Sequence, residues 1–339
     1  MRKIKIGSHL IGKGEPCFII AEIGSNHDGK LDQAKRLTKA AKEAGADAVK
    51  FQSFTADKLV NKKKLPQVYE AVSRIELPIK WYSELAEYAQ KEKIIFLSTP
   101  FDEEKVDLLE KINVPAFKVA SGDLTCYSFL KYIAQKKKPI ILSTGMATLE
   151  EVKKAIKIVN SVGNREIILL HCVSNYPSKL KDANIRAMVT MQNTFNLPVG
   201  YSDHSPGYIV PLGAVALGAS VIEKHITFNR NLKGPDHPFA LEVEEFSEMI
   251  KKIRELEKAL GDGKKRPVLE ELPERKFARR GLYAKSDISK GVILKEEMIK
   301  MVRPSYENSP RDIQEVIDKK AIMEIVKDES ITLEKIQTQ

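Results

Sequence analysis

Along the first three quarters of the chain, short apolar runs each end in a cluster of polar or ionisable residues. The runs are IIAEIGSNHDG (19–29), AVKFQSF (48–54), IFLSTPFD (95–102), AFKVASGD (116–123), IILSTGM (140–146), ILLHCVSNYP (168–177), VGYSDHSPG (199–207) and VIEKHIT (221–227). Val, Ile, Leu, Phe and Ala dominate them, which is the composition of strands buried on both faces, and helix-like stretches follow. Eight strand–helix units predict an α/β fold, a closed (β/α)8 TIM barrel of parallel strands. In such a barrel the chemical groups project from the carboxyl ends of the strands. One pattern thus predicts both the architecture and the rim of its site.

Helical periodicity fits 30–45, 80–92, 103–111, 148–162, 182–195 and 242–260, with Asp102 and Thr148 placed as N-caps. The 339 residues exceed the roughly 250 of a typical barrel, so a second domain is expected. After Leu260 the stretch GDGKKRPVLEELPERKFARR (261–280) is charged and interrupted by Gly and Pro, and reads as a linker. The expected division is a catalytic barrel over 1–262, with an N-terminal β extension over 1–16. A linker over 263–279 and a small, mostly β domain over 280–339 complete it.

The net charge of +10 comes from 56 Lys and Arg against 46 Asp and Glu. Because lysines and glutamates share helical faces, as in EEVKKAIKIV and EMIKKIRELEKAL, the excess reads as solvated surface. No recognition motif for DNA or RNA accompanies it, so no nucleic-acid partner is expected. No apolar run approaches the ~20 residues that span a bilayer. The start, MRKIKIGSHLIGKG, alternates like a short strand and lacks the apolar stretch of a signal peptide. A cytoplasmic protein with no membrane partner is the expectation. Cys17, Cys126 and Cys172 are too scattered for a disulfide framework or a zinc motif and read as reduced packing residues.

His204 and His225 end the seventh and eighth strands, which are neighbours in a closed barrel. Two imidazoles there can share one divalent cation, with water or substrate in the open positions. Two hydrogen-bonded rim histidines are the plainer alternative, and the acidic neighbours Asp203 and Glu223 keep the two readings level. Lys50 and Lys118 lie among apolar residues; each either faces an anion or snorkels to solvent. Ser121, Ser143, Asn175 and Ser202 add neutral hydrogen-bonding groups at neighbouring strand ends. Two cations with such donors around one mouth suit a ligand carrying phosphate and carboxylate. A Schiff-base lysine is a further possibility. Glu22, Gln52, Asp123 and Asp236 bring carboxylates and an amide to the same rim, and Asp123 is placed to take or give a proton. Singly, each is equally a cap or turn residue. GPDHPFAL (234–241) reads as an ordered loop, with Pro235 and Pro238 limiting its freedom.

The motifs AEIGSNHDG, KFQSF, STPFD, FKVASGD, STGM, SNYP, GYSDHSPG, EKHIT and GPDH stand in a distinctive order. In that order and spacing the chain resembles, over nearly its whole length, the sialic acid synthase family. The family comprises N-acetylneuraminate synthases and their legionaminate, pseudaminate and spore-coat-polysaccharide relatives. The tail from Arg279 is similar to the family's SAF, or antifreeze-like, domain. The resemblance implies a transferase that condenses phosphoenolpyruvate with an N-acyl hexosamine such as N-acetylmannosamine, free or 6-phosphorylated, to give a nonulosonic acid and phosphate. It implies Mn²⁺, or else Mg²⁺ or Co²⁺, on His204 and His225. It assigns Lys50, Lys118, Ser121, Ser143, Asn175 and Ser202 to phosphoenolpyruvate, and Glu22, Gln52, Tyr176 and Asp236 to the open-chain sugar. Asp123 stands where many relatives carry glutamate. Arg303, in VRPSYENSP, matches an arginine that reaches from one subunit into the barrel of another, which implies a domain-swapped homodimer. A Schiff-base barrel aldolase, or a carbohydrate- or ice-binding protein acting through the tail, are the competing readings.

Overall fold

The computed structural model describes residues 2–305 and 312–337; residues 306–311, which include the YENSP end of the VRPSYENSP motif, lie outside the described residues. The chain divides at Gly261 into two compact units.

The first unit is built on eight parallel strands: β3 (Phe18–Glu22), β4 (Ala48–Ser53), β5 (Ile95–Pro100), β6 (Phe117–Val119), β7 (Ile140–Ser143), β8 (Ile167–Cys172), β9 (Val199–Asp203) and β10 (Val221–Thr227). Hydrogen-bonded order runs β5-β4-β3-β10-β9-β8-β7-β6. The two ends of this path, β5 and β6, lie side by side without a registered ladder, so the barrel is nearly closed. A two-residue strand, β11 (Leu241–Glu242), extends the edge of β10 through Ile226↔Leu241.

Side chains alternate between the two faces of each strand, and this period of two explains the composition of the runs. Ile19, Val49, Phe96, Phe117, Leu142, Leu169, Tyr201 and Ile222 point outward into the layer beneath the helices. Phe18, Ile20, Ala48, Leu97, Ala116, Ile141, Ile168, Leu170 and Val221 fill the barrel interior. Two residues further along the same inward face stand Glu22, Lys50, Thr99, Lys118, Ser143, Cys172, Ser202 and Glu223. The lower interior is therefore hydrocarbon and the upper interior polar.

The expected helices occur as α1 (Leu31–Glu43), α4 (Ile79–Lys91), α5 (Glu103–Lys111), α7 (Leu149–Ser161), α8 (Arg186–Phe195) and α10 (Val243–Leu260). Thr148 forms a full capping box with Glu151, whereas Asp102 makes a single bond to Lys105 N, where a lysine cannot reciprocate. Two further crossover helices are α6 (Tyr127–Gln135), which buries Phe129, Leu130, Ile133 and Ala134 on one face, and α9 (Ile209–Ala216), which lacks a readable periodicity. IVPLGAVA in α9 is apolar on every face and carries Pro and Gly, so packing rather than propensity makes it a helix. Two short helices, α2 (Ala56–Leu59) and α3 (Pro66–Ser73), decorate the connection after β4.

The N-terminal extension is the hairpin β1 (Ile4–Ile6) and β2 (His9–Ile11). Ile4, Ile6 and Ile11 join the interior cluster and plug the amino end of the barrel. The second unit begins at Asp262, and the segment read as linker contains the helix α11 (Glu271–Ala278). Its ladder pairs β12 (Gly281–Ala284) with β13 (Ile299–Val302) around a core of Leu282, Ile288, Leu294, Ile299, Val316, Ile325 and Ile331. Isolated bridges and 3-10 turns account for much of the rest. Cys17 and Cys172 are buried and Cys126 is exposed, and all three are free thiols.

If the hairpin is a true plug, Ile6→Ala leaves a cavity in closed hydrocarbon and destabilises the barrel by about 2–5 kcal/mol. Urea denaturation monitored at the single tryptophan measures this; a loss below about 1 kcal/mol would mean that the hairpin merely lies on the surface.

Candidate active site

The polar upper layer opens into a cavity of about 560 Å³ at the carboxyl ends of the strands. Its lining includes Glu22, Lys50, Gln52, Lys118, Ser121, Ser143, Tyr176, Ser202, His204, His225 and Asp236, all of them anticipated from sequence. It also includes Thr99, Phe101, Met146, Cys172, Ser174, Glu223 and Phe239. Thr99, Cys172 and Glu223 were signalled by the period of two, since they follow the inward-facing Leu97, Leu170 and Val221. Asn175 is exposed, and Ser174 occupies the lining instead. Asp123 lies beyond Ser121 and Gly122, outside the lining. Arg303 is exposed and belongs to the second unit.

Neither lysine snorkels; each is 3% exposed. Lys50 forms an ion pair with Glu22, lies 3.8 Å from Glu223 and bonds Thr99 Oγ1 at 3.2 Å. Lys118 donates to Ser143 Oγ at 2.6 Å and lies 3.8 Å from the other oxygen of Glu223. Glu223 thus bridges the two ammoniums, while Ser202 Oγ donates to it at 2.8 Å. Burial alone would raise the Glu223 carboxyl, but Lys118 and Lys50 outweigh it and hold the group down at about 2. Burial pushes Glu22 up to about 7 against the pull of Lys50. Burial opposes the charge of Lys50, yet Glu22 and Glu223 together raise its pKa; at Lys118, burial prevails and lowers it.

The histidine rings stand 5.6 Å apart between centroids. Burial, assisted by His225, lowers His204 to about 3; burial lowers His225 to about 4 despite Asp236. Both are therefore neutral near pH 7. His204 Nδ1 lies 3.1 Å from the Val173 carbonyl. A carbonyl only accepts, so Nδ1 carries the proton and the Nε2 lone pair is free. His225 Nδ1 has no hydrogen-bond partner among the described residues and lies 3.8 Å from Asp236 Oδ2. No cluster of three or more His, Cys, Asp or Glu arranged to hold a metal occurs among the described residues. Two neutral imidazoles with free lone pairs nevertheless fit half of a divalent-ion site whose remaining positions fall to water or substrate.

Backbone geometry permits this crowding. Gly24 has φ +52, and a Cβ there would stand 2.6 Å from Asp236 Oδ2, 3.1 Å from Glu22 Oε1 and 3.2 Å from His225 Cε1. Only glycine lets those three groups converge. Ser25 N donates to Asp236 Oδ2 at 2.9 Å and fixes the carboxylate at the cavity edge.

Asp203 does not support the histidines as a metal-site neighbour. It points outward and forms a fully buried ion pair with Lys224 at 2.6 Å, and Lys224 also donates to the Ser205 carbonyl. Ser205 returns two bonds to Asp203, from N at 3.0 Å and Oγ at 2.8 Å. This knot clamps the backbone on both sides of His204. The sequence hid it because Lys224 and Asp203 look like rim residues until their parity on the strand is counted.

The arrangement is that of a (β/α)8-barrel enzyme followed by a small C-terminal domain. A model of the NeuB family matches residues 37–265 and a SAF-domain model matches 279–337. An uncharacterized protein of Methanocaldococcus jannaschii is 50% identical over 304 residues, 90% of each chain. The N,N'-diacetyllegionaminic acid synthase of Legionella pneumophila is 42% identical over 331 residues, 93% of each chain. Among solved structures, the N-acetylneuraminic acid synthetase of Leptospira borgpetersenii superposes with a TM-score of 0.77 at 38% identity, covering 80% of this chain and 95% of that one. The chain belongs to the NeuB family of sialic acid synthases.

Asp203→Ala strands the Lys224 ammonium in the interior and should cost about 3–5 kcal/mol, lowering the melting temperature. Asp203→Leu combined with Lys224→Met should recover much of that loss. A melting temperature unchanged by the single substitution would contradict the clamp.

Proposed function

We propose that this protein condenses phosphoenolpyruvate with the open-chain aldehyde of an N-acyl hexosamine, forming a nonulosonic acid and releasing phosphate. The observation that carries this reading is the convergence of two buried ammoniums and two neutral imidazoles on one cavity. The family relationship supports the reaction class.

Lys50 and Lys118 hold the phosphate and carboxylate of phosphoenolpyruvate, with Ser121, Ser143, Ser202 and the Asn175 segment as hydrogen-bonding neighbours. Glu22, Gln52, Tyr176 and Asp236 orient the sugar. His204 and His225 would hold a divalent cation, Mn²⁺ by preference, which when bound supplies Lewis-acid polarisation of the aldehyde oxygen. The vinyl carbon of phosphoenolpyruvate bonds to the aldehyde carbon, and water adds to the carbon bearing phosphate. Cleavage of the C–O bond then releases phosphate, whose charge the two lysines neutralise. Water addition requires a base. Asp123, which stands behind the lining residues Ser121 and Gly122, is the candidate acting through an intervening water, because burial raises its carboxyl to about 6 against Lys118, and its Oδ2 has no hydrogen-bond partner among the described residues. Arg303 of a second copy would close over the sugar in a domain-swapped homodimer. The cavity offers no lysine or arginine beyond Lys50 and Lys118 among its described lining residues, which favours a free sugar over its 6-phosphate.

Phosphate release should require phosphoenolpyruvate, an N-acyl hexosamine and a divalent cation together, and His204→Ala should abolish it while leaving the circular dichroism spectrum unchanged. Release without an acceptor, or full activity of the variant after chelation, would contradict the assignment. Borohydride trapping of substrate on Lys118 would instead indicate a Schiff-base aldolase. As a base, Asp123 is active when ionised, so kcat should rise with pH through about 6. Asp123→Asn should remove that limb and lower kcat by about 10²–10⁴-fold. An unaltered profile would assign the proton to another group.

A further inference from the structure

Beyond the carboxylate of Asp236, the loop after β10 delivers an aromatic ring to the cavity. Phe239 ends the 3-10 turn His237–Phe239 and is only 4% exposed, yet it lines the cavity. Its ring centroid lies 4.8 Å from that of His225, 6.2 Å from His204 and 5.4 Å from Tyr176. Tyr176 in turn lies 4.4 Å from His204. One side of the histidine pair is therefore an aromatic wall.

The wall is held rigidly. His237 is completely buried, with Nε2 3.0 Å from Asp28 Oδ1 and Nδ1 2.7 Å from Thr227 Oγ1. Because a carboxylate accepts, Nε2 donates to Asp28, and Nδ1 shares its hydrogen bond with the Thr227 hydroxyl. Gln33 Nε2 holds the other Asp28 oxygen at 2.6 Å. Pro238 separates this anchored imidazole from Phe239, so the ring has little room to retreat.

A phenyl ring neither donates nor accepts a conventional hydrogen bond. A sugar hydroxyl pressed against it would lose its water and gain no partner, whereas a methyl group would gain contact. We propose that Phe239 is a specificity-determining residue that selects acceptors presenting a methyl group beside the histidine pair. That methyl belongs either to the N-acyl substituent or to a 6-deoxy carbon. The inference rests on the proposed condensation and goes beyond it by naming the group that is read and the residue that reads it.

The test compares wild type, Phe239→Leu and Phe239→Ala, with phosphoenolpyruvate and Mn²⁺. The acceptors are N-acetyl-, N-formyl- and N-propanoylmannosamine and 6-deoxy-N-acetylmannosamine. If the acyl methyl meets the wall, wild type favours N-acetyl over N-formyl and over N-propanoyl by about 10-fold or more, and Phe239→Ala shifts the preference to N-propanoyl. If the 6-deoxy carbon meets it, wild type favours the 6-deoxy sugar over its 6-hydroxy counterpart by a similar factor, and that preference collapses in Phe239→Ala. In either case Phe239→Leu is intermediate and the KM for phosphoenolpyruvate stays within about twofold, because the phosphate lysines lie elsewhere in the cavity. Active variants that lower kcat/KM equally for all four acceptors overturn the proposal and leave the condensation standing. Absence of phosphate release by wild type with every acceptor overturns both.

Discussion

The structure depends on the requirement that charge buried inside a barrel be paired. Lys50, Lys118, Glu22 and Glu223 occupy the polar upper layer, with the two lysines and Glu223 within 3.8 Å contacts. An isolated ammonium there would cost several kcal/mol; Glu22 and Glu223 together offset it at Lys50, whereas Glu223 offsets only part of it at Lys118. The neutral state of the histidines follows from the same burial, with Lys50 adding to it at His225. A single electrostatic balance thus sets two buried ammoniums and two neutral imidazoles side by side. The hydrocarbon below and the N-terminal hairpin keep water from entering beneath.

What the sequence made legible was whatever obeyed the period of the strands. Eight runs with polar ends gave the barrel, and inward parity from Phe18 or Ala48 leads straight to Glu22 and Lys50. Parity also separates His225, which faces the cavity, from Lys224, which faces the helices; reading Asp203 as an acidic neighbour of the histidines left it unassigned to its ion pair. Thr99 and Cys172 were reachable by the same count. Helix α9 was not legible, because an all-apolar octapeptide has no amphipathic face to detect. The helix in the linker was masked by its Gly and Pro flanks and by charges on all sides.

Other parts depend on folding in three dimensions. His237 reaches Asp28 across 209 residues of sequence, and no local pattern announces that bond. Phe239 looks like a core residue in PFAL, and in burial it is one; it becomes a cavity wall only because the anchored loop turns it toward the histidines. Gly24 carries a similar lesson. Its positive φ and missing side chain matter because strands β3 and β10 and the following loop bring three polar groups to one point.

The central claim, that the imidazole pair and the ammonium pair serve one site, is tested most directly by anomalous diffraction from crystals grown with Mn²⁺ and phosphoenolpyruvate. The account predicts one strong manganese peak between His204 and His225 and the ligand's phosphate on Lys50 and Lys118 in the same cavity. Manganese bound elsewhere, or phosphoenolpyruvate lodged away from those lysines, would contradict it.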